Sequence, residues 1–335
     1  MCPVIHLVGF PQSLSFLSAH SNHLSGILPS SLTNCSSLEL LDLRENRLIG
    51  KLPMHPTPFN RLRVLSMAYN HFHGSIPQWI TNLTSLQVLD LSNNRFSGRI
   101  PSNLKGLKGF KSNMTIVQDD STLYYELRID MKGSEYNLPY VLLTNTIFDL
   151  SSNNFMGEIP TSLGSLSSLR LLNLSGNLLD GGIPRSLSYI PTLEQLDLAK
   201  NNLSGCIPQE LTQLYFLASL NVSSNNLCGP IPTGKQFNTF NDPSIFQKNK
   251  CLCGDPLQPC KHQKGSATRD DNNKSNVKEG WLTLMHENMS LIALGMGFCI
   301  GFGGVVAILI IWEKARNWLV PPSRRHFYGV YRFPK

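Results

Sequence analysis

Apolar residues and asparagines recur along this chain with a period of 24 residues. The segment from Leu86 to Pro101 reads LQVLDLSNNRFSGRIP, in which two leucines flank one polar residue and an asparagine follows. This alternation predicts a short strand that buries both leucines and points the residue between them outward. The frame occurs eight times, with one interruption between the fourth and fifth copies. Its asparagines are Asn22, Asn46, Asn70, Asn94, Asn153, Asn177, Asn201 and Asn225.

Repeats of this length and leucine spacing are leucine-rich repeats, which stack into a solenoid. One repeat cannot bury its leucines alone, but neighbouring copies form a continuous core. We therefore predict an α/β repeat fold, a leucine-rich-repeat solenoid with a parallel β-sheet on its concave face. The turn places each asparagine inside, where its amide both donates and accepts. The eight amides are predicted to form a ladder that satisfies buried backbone groups.

Each copy ends in a motif of the form LxGxIP, such as FSGRIP at Phe96 and LSGCIP at Leu203. Glycine allows a positive φ where the chain reverses, and proline fixes φ in the return segment. The motif resembles the plant-specific class of leucine-rich repeats found in plant cell-surface receptors. The resemblance covers residues 13–232, and we place the repeats at 13–107 and 144–238.

A long apolar segment near the C-terminus predicts a membrane anchor. Residues 289–312 are 24 consecutive positions without a charge, enough to span a hydrocarbon core of about 30 Å. A soluble helix of this length would carry a polar face. Small residues recur every fourth position at Ala293, Gly297 and Gly301, which favours pairing with another helix, although glycine is common in such spans.

The charge distribution predicts the orientation of this span. The tail at 313–335 contains six Lys and Arg residues and one Glu. The positive-inside rule places the tail in the cytoplasm and the repeats outside, in a single-pass protein of the plasma membrane. Because most of the net charge of +7 lies in the tail, no basic stripe for a nucleic-acid partner is present in the repeats.

The sequence shows no pattern typical of an enzyme. No Ser/His/Asp set, paired carboxylates or kinase motif can be placed, and the glycine-rich strings GMGFCIG and GFGG lie inside the apolar span. We predict a binding protein without cofactor or metal. Sequons are consistent with an extracellular location, although an Asn- and Ser-rich repeat also generates them by composition. The predicted glycosylation sites are Asn34, Asn82, Asn113, Asn173, Asn202, Asn221 and Asn273, with Asn173 and Asn221 projecting from the concave sheet.

An insert at 108–143 interrupts the repeats. Loops of this length inside compact structure are usually functional or disordered, and its tyrosines beside Lys132 and Gly133 favour an ordered island. Repeats, a tyrosine-rich island, four further repeats, a cysteine-containing cap, a glycine-rich span and a short basic tail follow the order of plant leucine-rich-repeat receptor-like proteins. This is the class that includes the Cf-type disease-resistance receptors.

The resemblance implies a receptor without its own kinase. Such a protein binds a peptide or pathogen-derived ligand and signals through leucine-rich-repeat receptor kinases that act as adaptor and co-receptor. The island and the last four repeats would serve co-receptor docking and some ligand contacts, which nominates Tyr124, Tyr125, Lys132, Gly133 and Tyr136. The alternative is that these tyrosines only pack the insert onto the solenoid. Outward positions that vary in the first repeats are further candidates: Phe16, His20, Arg44, Glu45, Ser66 and Tyr69.

The resemblance also implies a disulfide between Cys253 and Cys260 in a cap at 239–261, followed by a linker at 262–288. Cys251 is an extra thiol that could compete for that bond. Cys206 and Cys228 are expected about 8 Å apart from strand and repeat spacings, and therefore both reduced. Cys35 is expected to be buried. A zinc set of Cys251, Cys253, Cys260 and His262 has suitable ligand types but is disfavoured in an oxidising compartment.

The N-terminal residues 1–12 depart from the family pattern, because they show neither a signal peptide nor a cysteine-paired cap. We expect a truncated family member or an incomplete gene model. Three functions remain open. They are a ligand-binding receptor subunit of defence or development, an adaptor or decoy that engages co-receptor kinases without sensing a ligand, and a secreted inhibitor of cell-wall enzymes. The last is disfavoured by the predicted span, and a fragment without function is the remaining alternative.

Overall fold

A computed structural model describes residues 12–53, 59–111, 127–131, 134–138 and 146–260, and only the backbone of the two short ranges. Strands at the LxL motifs form one parallel eight-stranded sheet in sequence order. This confirms the predicted solenoid and its parallel sheet. The strands are β1 (Phe16–Ser18), β3 (Leu40–Asp42), β5 (Val64–Ser66), β7 (Val88–Asp90), β11 (Ile147–Asp149), β13 (Leu171–Asn173), β15 (Gln195–Asp197) and β17 (Ser219–Asn221).

The LxGxIP motifs form a second row of short strands on the opposite side of each repeat. The strands of the first six motifs pair in one sheet, and those of the last two pair in another with a strand of the C-terminal cap. The first sheet contains β2 (Ser25–Gly26), β4 (Arg47–Gly50), β6 (His71–Gly74), β8 (Arg95–Gly98), β12 (Asn154–Glu158) and β14 (Leu178–Asp180). The second contains β16 (Ser204–Gly205), β18 (Asn226–Pro230) and β19 (Cys251–Cys253).

The glycine of this motif is required by both conformation and space. Gly50 has a φ of +95°, and a Cβ placed on it would lie 2.8 Å from Cγ2 of Ile27 in the preceding repeat. A side chain there would be strained and would collide with its neighbour. In most repeats, the residue after this glycine therefore covers the glycine of the next repeat.

The return segments are 3-10 helices, and no α-helix occurs among the described residues. The α part of the predicted α/β class is therefore wrong for this part of the chain. A proline such as Pro77 or Pro160 precedes most of these helices with φ near −65°, and too few residues follow it for a longer helix. The 3-10 helices are η1 (Ser30–Asn34), η2 (Gln78–Asn82), η3 (Lys108–Phe110), η4 (Thr161–Ser165), η5 (Arg185–Tyr189), η6 (Gln209–Gln213), η7 (Lys235–Thr239) and η8 (Pro243–Ile245).

The solenoid is continuous across the insert. Strand β11 pairs with β7 in register, with Ile147 opposite Val88. The rings of Phe72, Phe96 and Phe155 stack in succession, with centroids 6.1 and 6.3 Å apart. Within the insert the backbone forms an antiparallel hairpin of β9 (Leu127–Met131) and β10 (Ser134–Leu138). The repeats on either side of the insert therefore stack directly on each other.

The predicted asparagine ladder is present, and Asn153 shows its geometry. Its Nδ2 donates to the carbonyl oxygens of Leu150 and Ser151 in its own turn and of Leu91 in the preceding repeat. Its Oδ1 accepts from the backbone N–H of Phe96 at 2.9 Å. The amide thus satisfies four buried backbone groups in two repeats. The ladder also has a ninth member that the sequence reading missed, Asn249, whose Oδ1 accepts from the N–H of Leu227 at 3.0 Å.

The residue before each ladder asparagine adopts a left-handed conformation. Glu45, Tyr69 and Lys200 have φ values of 54°, 53° and 55° although none of them is glycine. Such a conformation costs of order 1 kcal/mol or more for a bulky residue. Because it recurs in every repeat, it is a property of the turn that points the asparagine inward.

Two disulfides close the C-terminal end of the described solenoid. Cys253 pairs with Cys260, as the resemblance implied. Cys228 pairs with Cys251, with Cα atoms 4.5 Å apart, so the expectation that Cys228 is reduced is wrong. The expectation relied on spacing within the repeats, whereas Cys228 lies opposite Cys251 in the register of β18 and β19. Since all three cysteines of the zinc alternative are in disulfides, their sulfurs are not free to bind a metal.

The remaining described cysteines agree with expectation. Cys35 is buried, and Cys206 is a free, exposed thiol. In the described residues no helix is long and apolar enough to cross a bilayer. The predicted span at 289–312, with Ala293, Gly297 and Gly301, lies outside those residues, as do the linker from 262, the tail at 313–335, Cys299 and most of segment 1–12.

The ladder predicts a large difference between two adjacent asparagines. Replacing Asn153 with Ala removes four hydrogen bonds and leaves buried groups unpaired, so we expect the full chain to lose about 2 to 5 kcal/mol of unfolding free energy. Asn154 is exposed, and Asn154→Ala should change this free energy by less than about 0.5 kcal/mol. Denaturant unfolding followed by circular dichroism measures both. Equal losses would contradict the assigned role of the ladder.

Candidate ligand-binding surface

The residue between the two leucines of each LxL motif forms a polar column along the concave sheet. Six of its seven side chains first cap their own turn: Oδ1 of Asp149, for example, accepts from the N–H of Ser151 at 2.8 Å. The remaining oxygen or amide group bonds to the column residue of a neighbouring repeat. For example, Nδ2 of Asn173 donates to Oδ2 of Asp149 at 3.2 Å. The column consists of Asp42, Ser66, Asp90, Asp149, Asn173, Asp197 and Asn221.

This column is not uniformly exposed, which corrects the prediction of outward-facing ligand contacts. Ser66 is fully buried, and its hydroxyl donates to Asp90 Oδ2 at 3.2 Å. Arg44 retains only 2% exposure. Its Nε and Nη2 each lie 3.1 Å from the carboxylate of Asp42. Strand alternation gives the direction of a side chain, but these polar partners determine whether it is accessible.

The other candidates in the first repeats keep partial exposure. Phe16 is 44% exposed and Tyr69 is 41% exposed. His20 and Glu45 are linked through Ser21, whose Oγ lies 3.0 Å from His20 Nδ1 and donates to Glu45 Oε2 at 2.6 Å. His20 and Glu45 therefore form one polar group across the first two repeats, separate from the buried Arg44.

Two carboxylates lie on neighbouring strands, one before and one after the insert in the sequence. Asp90 and Asp149 are register partners on β7 and β11. Burial raises the pKa of both, and the charge of Asp90 adds to the effect on Asp149, whose pKa rises to about 8. Burial also raises the pKa of Asp42 to about 6, against the opposing charge of Arg44. The Asp90–Asp149 pair therefore holds a proton near neutral pH.

A group of exposed aromatic side chains was missed by sequence analysis. Tyr189, Tyr215 and Phe216 are 70%, 63% and 67% exposed. They lie at the end of η5 and between η6 and β17, in adjacent repeats. Lys235 Nζ donates to Tyr215 Oη at 2.7 Å and lies 4.5 Å from the centre of its ring. The signal was present in the sequence, because most other repeats carry a polar residue, glycine or proline at these positions.

The nominated island residues cannot be placed. Tyr124, Tyr125, Lys132 and Gly133 lie outside the described residues, and Tyr136 lies in β10, where only the backbone is described. Their proposed contacts with a ligand or co-receptor remain predictions. No group of three or more His, Cys, Asp or Glu that could hold a metal occurs in the described parts of the chain.

The predicted glycosylation sites fall into two groups. Asn34, Asn82 and Asn202 are exposed, whereas Asn173 and Asn221 are half-buried. The Nδ2 atoms of Asn173 and Asn221 donate to Asp149 and Asp197 within the polar column. A glycan on either Nδ2 would replace a donor hydrogen of that column. Asn113 and Asn273 lie outside the described residues.

This geometry predicts which sequons carry glycans. In the secreted or membrane-inserted chain we expect glycans at Asn34, Asn82 and Asn202, and none at Asn173 and Asn221. Site mapping by mass spectrometry after glycosidase treatment in heavy-oxygen water distinguishes the two groups. Full occupancy of Asn173 in a natively folded chain would contradict the expectation.

The raised pKa of Asp149 predicts how stability depends on pH. Its ordinary value is 3.8 and its folded value about 8, so between these limits the unfolded chain releases a proton that the folded chain retains. The unfolding free energy should therefore fall as pH rises from 5 to 8, by about 1 to 3 kcal/mol. Asp149→Asn should reduce this dependence. The exposed carboxyl of Asp180 provides the matched control, and an equal slope in Asp149→Asn and Asp180→Asn would contradict the assignment.

Comparison with known proteins agrees with this fold. A family model described as Leucine Rich Repeat matches six segments, at 13–35, 61–83, 85–107, 146–166, 168–190 and 192–214. No curated protein matches the chain. Among solved structures, the complex PEPR1–AtPEP1 is 31% identical with a TM-score of 0.58, over 73% of this chain and 30% of that one.

Two further structures are similar in fold. The Arabidopsis receptor kinase HAESA, in complex with the peptide hormone IDA and the co-receptor SERK1, is 29% identical with a TM-score of 0.50, over 75% of this chain and 40% of that one. A plant ice-binding protein is 26% identical with a TM-score of 0.51, over 75% and 76% of the two chains. The chain thus spans about a third of the receptor structures. It carries leucine-rich repeats and is similar in structure to the ectodomains of plant leucine-rich-repeat receptors.

Proposed function

We propose that this chain is part of a cell-surface receptor-like protein, of the Cf-type class, that binds an extracellular peptide and signals in plant defence through leucine-rich-repeat receptor kinases. The similar receptor structures supply the context, because HAESA is seen with both a peptide hormone and a co-receptor. The proposed anchor is the apolar segment 289–312, which would hold the repeats outside the cell.

The exposed aromatic group of Tyr189, Tyr215 and Phe216 carries the proposal of a protein partner. Aromatic residues are enriched at the centres of protein interfaces, where they contribute most of the binding energy. Three of them exposed above 60% on adjacent repeats are not needed for the core. The cation Lys235 fixes the Tyr215 ring, so this side chain loses little freedom on binding.

Ligand contacts are assigned to a different surface. We place them on the partly exposed concave residues His20, Glu45 and Tyr69 and on the nominated island residues beside Lys132 and Gly133. The two strands that flank the insert in the sequence, which carry Asp90 and Asp149, are neighbours in the sheet.

A second candidate is an adaptor or decoy that engages co-receptor kinases without sensing a ligand. The observation in its favour is that Arg44 and Ser66 are buried and bonded to neighbouring carboxylates. Fewer concave side chains are then available to select a ligand. Transfer of residues 13–107 into a full-length relative separates the two functions. A ligand-dependent response that follows these repeats supports the receptor, and its absence supports the adaptor.

The partner proposal predicts that the aromatic group contributes to co-receptor binding. The full-length chain in detergent is titrated with the SERK1 ectodomain, and Tyr215→Ala/Phe216→Ala should weaken binding at least about tenfold, because buried aromatic anchors contribute more than about 1.4 kcal/mol. Gln213→Ala, on η6 beside them, is the matched control and should bind as the unaltered chain does. Equal affinities for the double variant and the control would contradict this surface.

A further inference from the structure

Three cysteines lie side by side at the C-terminal end of the solenoid. Cys228 lies in β18 and Cys251 in β19, and Cys206 directly follows β16. These three strands are adjacent and parallel. Cys228 and Cys251 are bonded, whereas Cys206 is a free thiol. A disulfide therefore has a nucleophilic group of the same chain on the neighbouring strand.

The register places Cys206 next to Cys228. Gly205 pairs with Leu227, so Cys206 and Cys228 each follow that last register pair by one residue. Neighbouring strands lie about 4.8 Å apart, within the range of Cα separations that a disulfide bridges. The earlier expectation of about 8 Å came from counting positions relative to the ladder asparagines, which does not give the strand register.

The side chain of Cys206 reaches the residue that follows Cys228 on the neighbouring strand. Its Sγ lies 2.8 Å from the position that a Cβ on Gly229 would take, and Gly229 directly follows Cys228. Because Gly229 has no side chain, nothing at that residue covers the approach of the thiol. Cys206 also lines an open groove of about 640 Å³, beside Arg185, Pro208 and Pro230. The thiol is therefore accessible both to solvent and to the neighbouring strand.

We propose that Cys206, Cys228 and Cys251 form a thiol–disulfide exchange site. The Cys206 thiol loses its proton to solvent, and the thiolate attacks Sγ of Cys228. The Cys206–Cys228 bond forms as the Cys228–Cys251 bond breaks, and the electron pair leaves on Cys251, which takes a proton from solvent. The number of disulfides is unchanged, so the step consumes no oxidant or reductant.

The two bonded states differ in what they hold together. The Cys228–Cys251 bond ties β19 to the last repeat, whereas a Cys206–Cys228 bond would join two consecutive repeats. In the second state β19 would be held to β18 by noncovalent contacts, including the hydrogen bond from the Ile231 N–H to the Cys253 carbonyl at 2.8 Å. Exchange thus releases the covalent attachment of the C-terminal strand. This inference is independent of the proposed partners.

The first test uses the intact full-length chain without any added thiol. It is incubated at mildly alkaline pH, where thiols ionise, then quenched with acid, alkylated and mapped by mass spectrometry without reduction. We expect both Cys206–Cys228 and Cys228–Cys251 peptides, with Cys251 alkylated in proportion to the former. In Cys206→Ser, alkylation of Cys251 should fall at least about tenfold, because the attacking thiol is absent. Cys35→Ser, which removes a buried thiol, should leave the pattern unchanged.

A second variant makes the alternative bond the only one available. Cys251→Ser should form the Cys206–Cys228 disulfide during oxidative folding, while retention of the Cys253–Cys260 bond shows that the cap is native. A native cap with Cys206 and Cys228 both alkylated would overturn the proposal. If this variant does not form the cap disulfide, the first test on the unaltered chain decides. Full alkylation of Cys206 there, with no alkylation of Cys251, would also overturn the proposal.

Discussion

The structure depends on one interaction, the hydrogen bonds of a buried asparagine amide that recurs every 24 residues. Each amide satisfies carbonyl groups of its own turn and of the preceding repeat and accepts one N–H from that repeat. These groups cannot reach water, so their pairing decides whether the turn can be buried at all. The left-handed residue before each asparagine follows from the same requirement. A bulky residue such as Tyr69 accepts that conformation because the amide could not otherwise point inward.

Much of the fold could be predicted because it is local and periodic. The positions of Leu89, Leu91 and Asn94 determine a strand and a turn, and repetition determines how neighbours stack. Prediction failed where the pattern was imperfect. Asn249 preserves the 24-residue spacing from Asn225, but phenylalanine replaces leucine before it and no LxL motif precedes it. The ladder therefore extends one repeat farther than the leucines indicate.

Less of the candidate site could be predicted, because accessibility depends on partners distant in sequence. Arg44 has the expected direction, but the carboxylate of Asp42 holds it in a buried ion pair. The bond between Cys228 and Cys251 depends on the register of β18 and β19, which the repeat spacing does not specify. The exposed aromatic residues lie outside the predicted ligand surface for a different reason: Tyr215 and Phe216 are on the return segment before β17 rather than on the sheet.

The same repeat stack serves proteins of different function, since both a receptor kinase in complex with a peptide hormone and an ice-binding protein are similar to it. Function must then reside in side chains that the ladder and the core do not require. In the described residues these are few, because even the polar column mostly caps its own turns. The aromatic group of the later repeats is the exception, because it is apolar and exposed. Asp90 and Asp149 also cap their own turns, but burial and the charge of Asp90 together raise the pKa of Asp149. The proposed function accordingly assigns partner contacts to the return segments of the later repeats and ligand contacts to partly exposed residues of the first repeats.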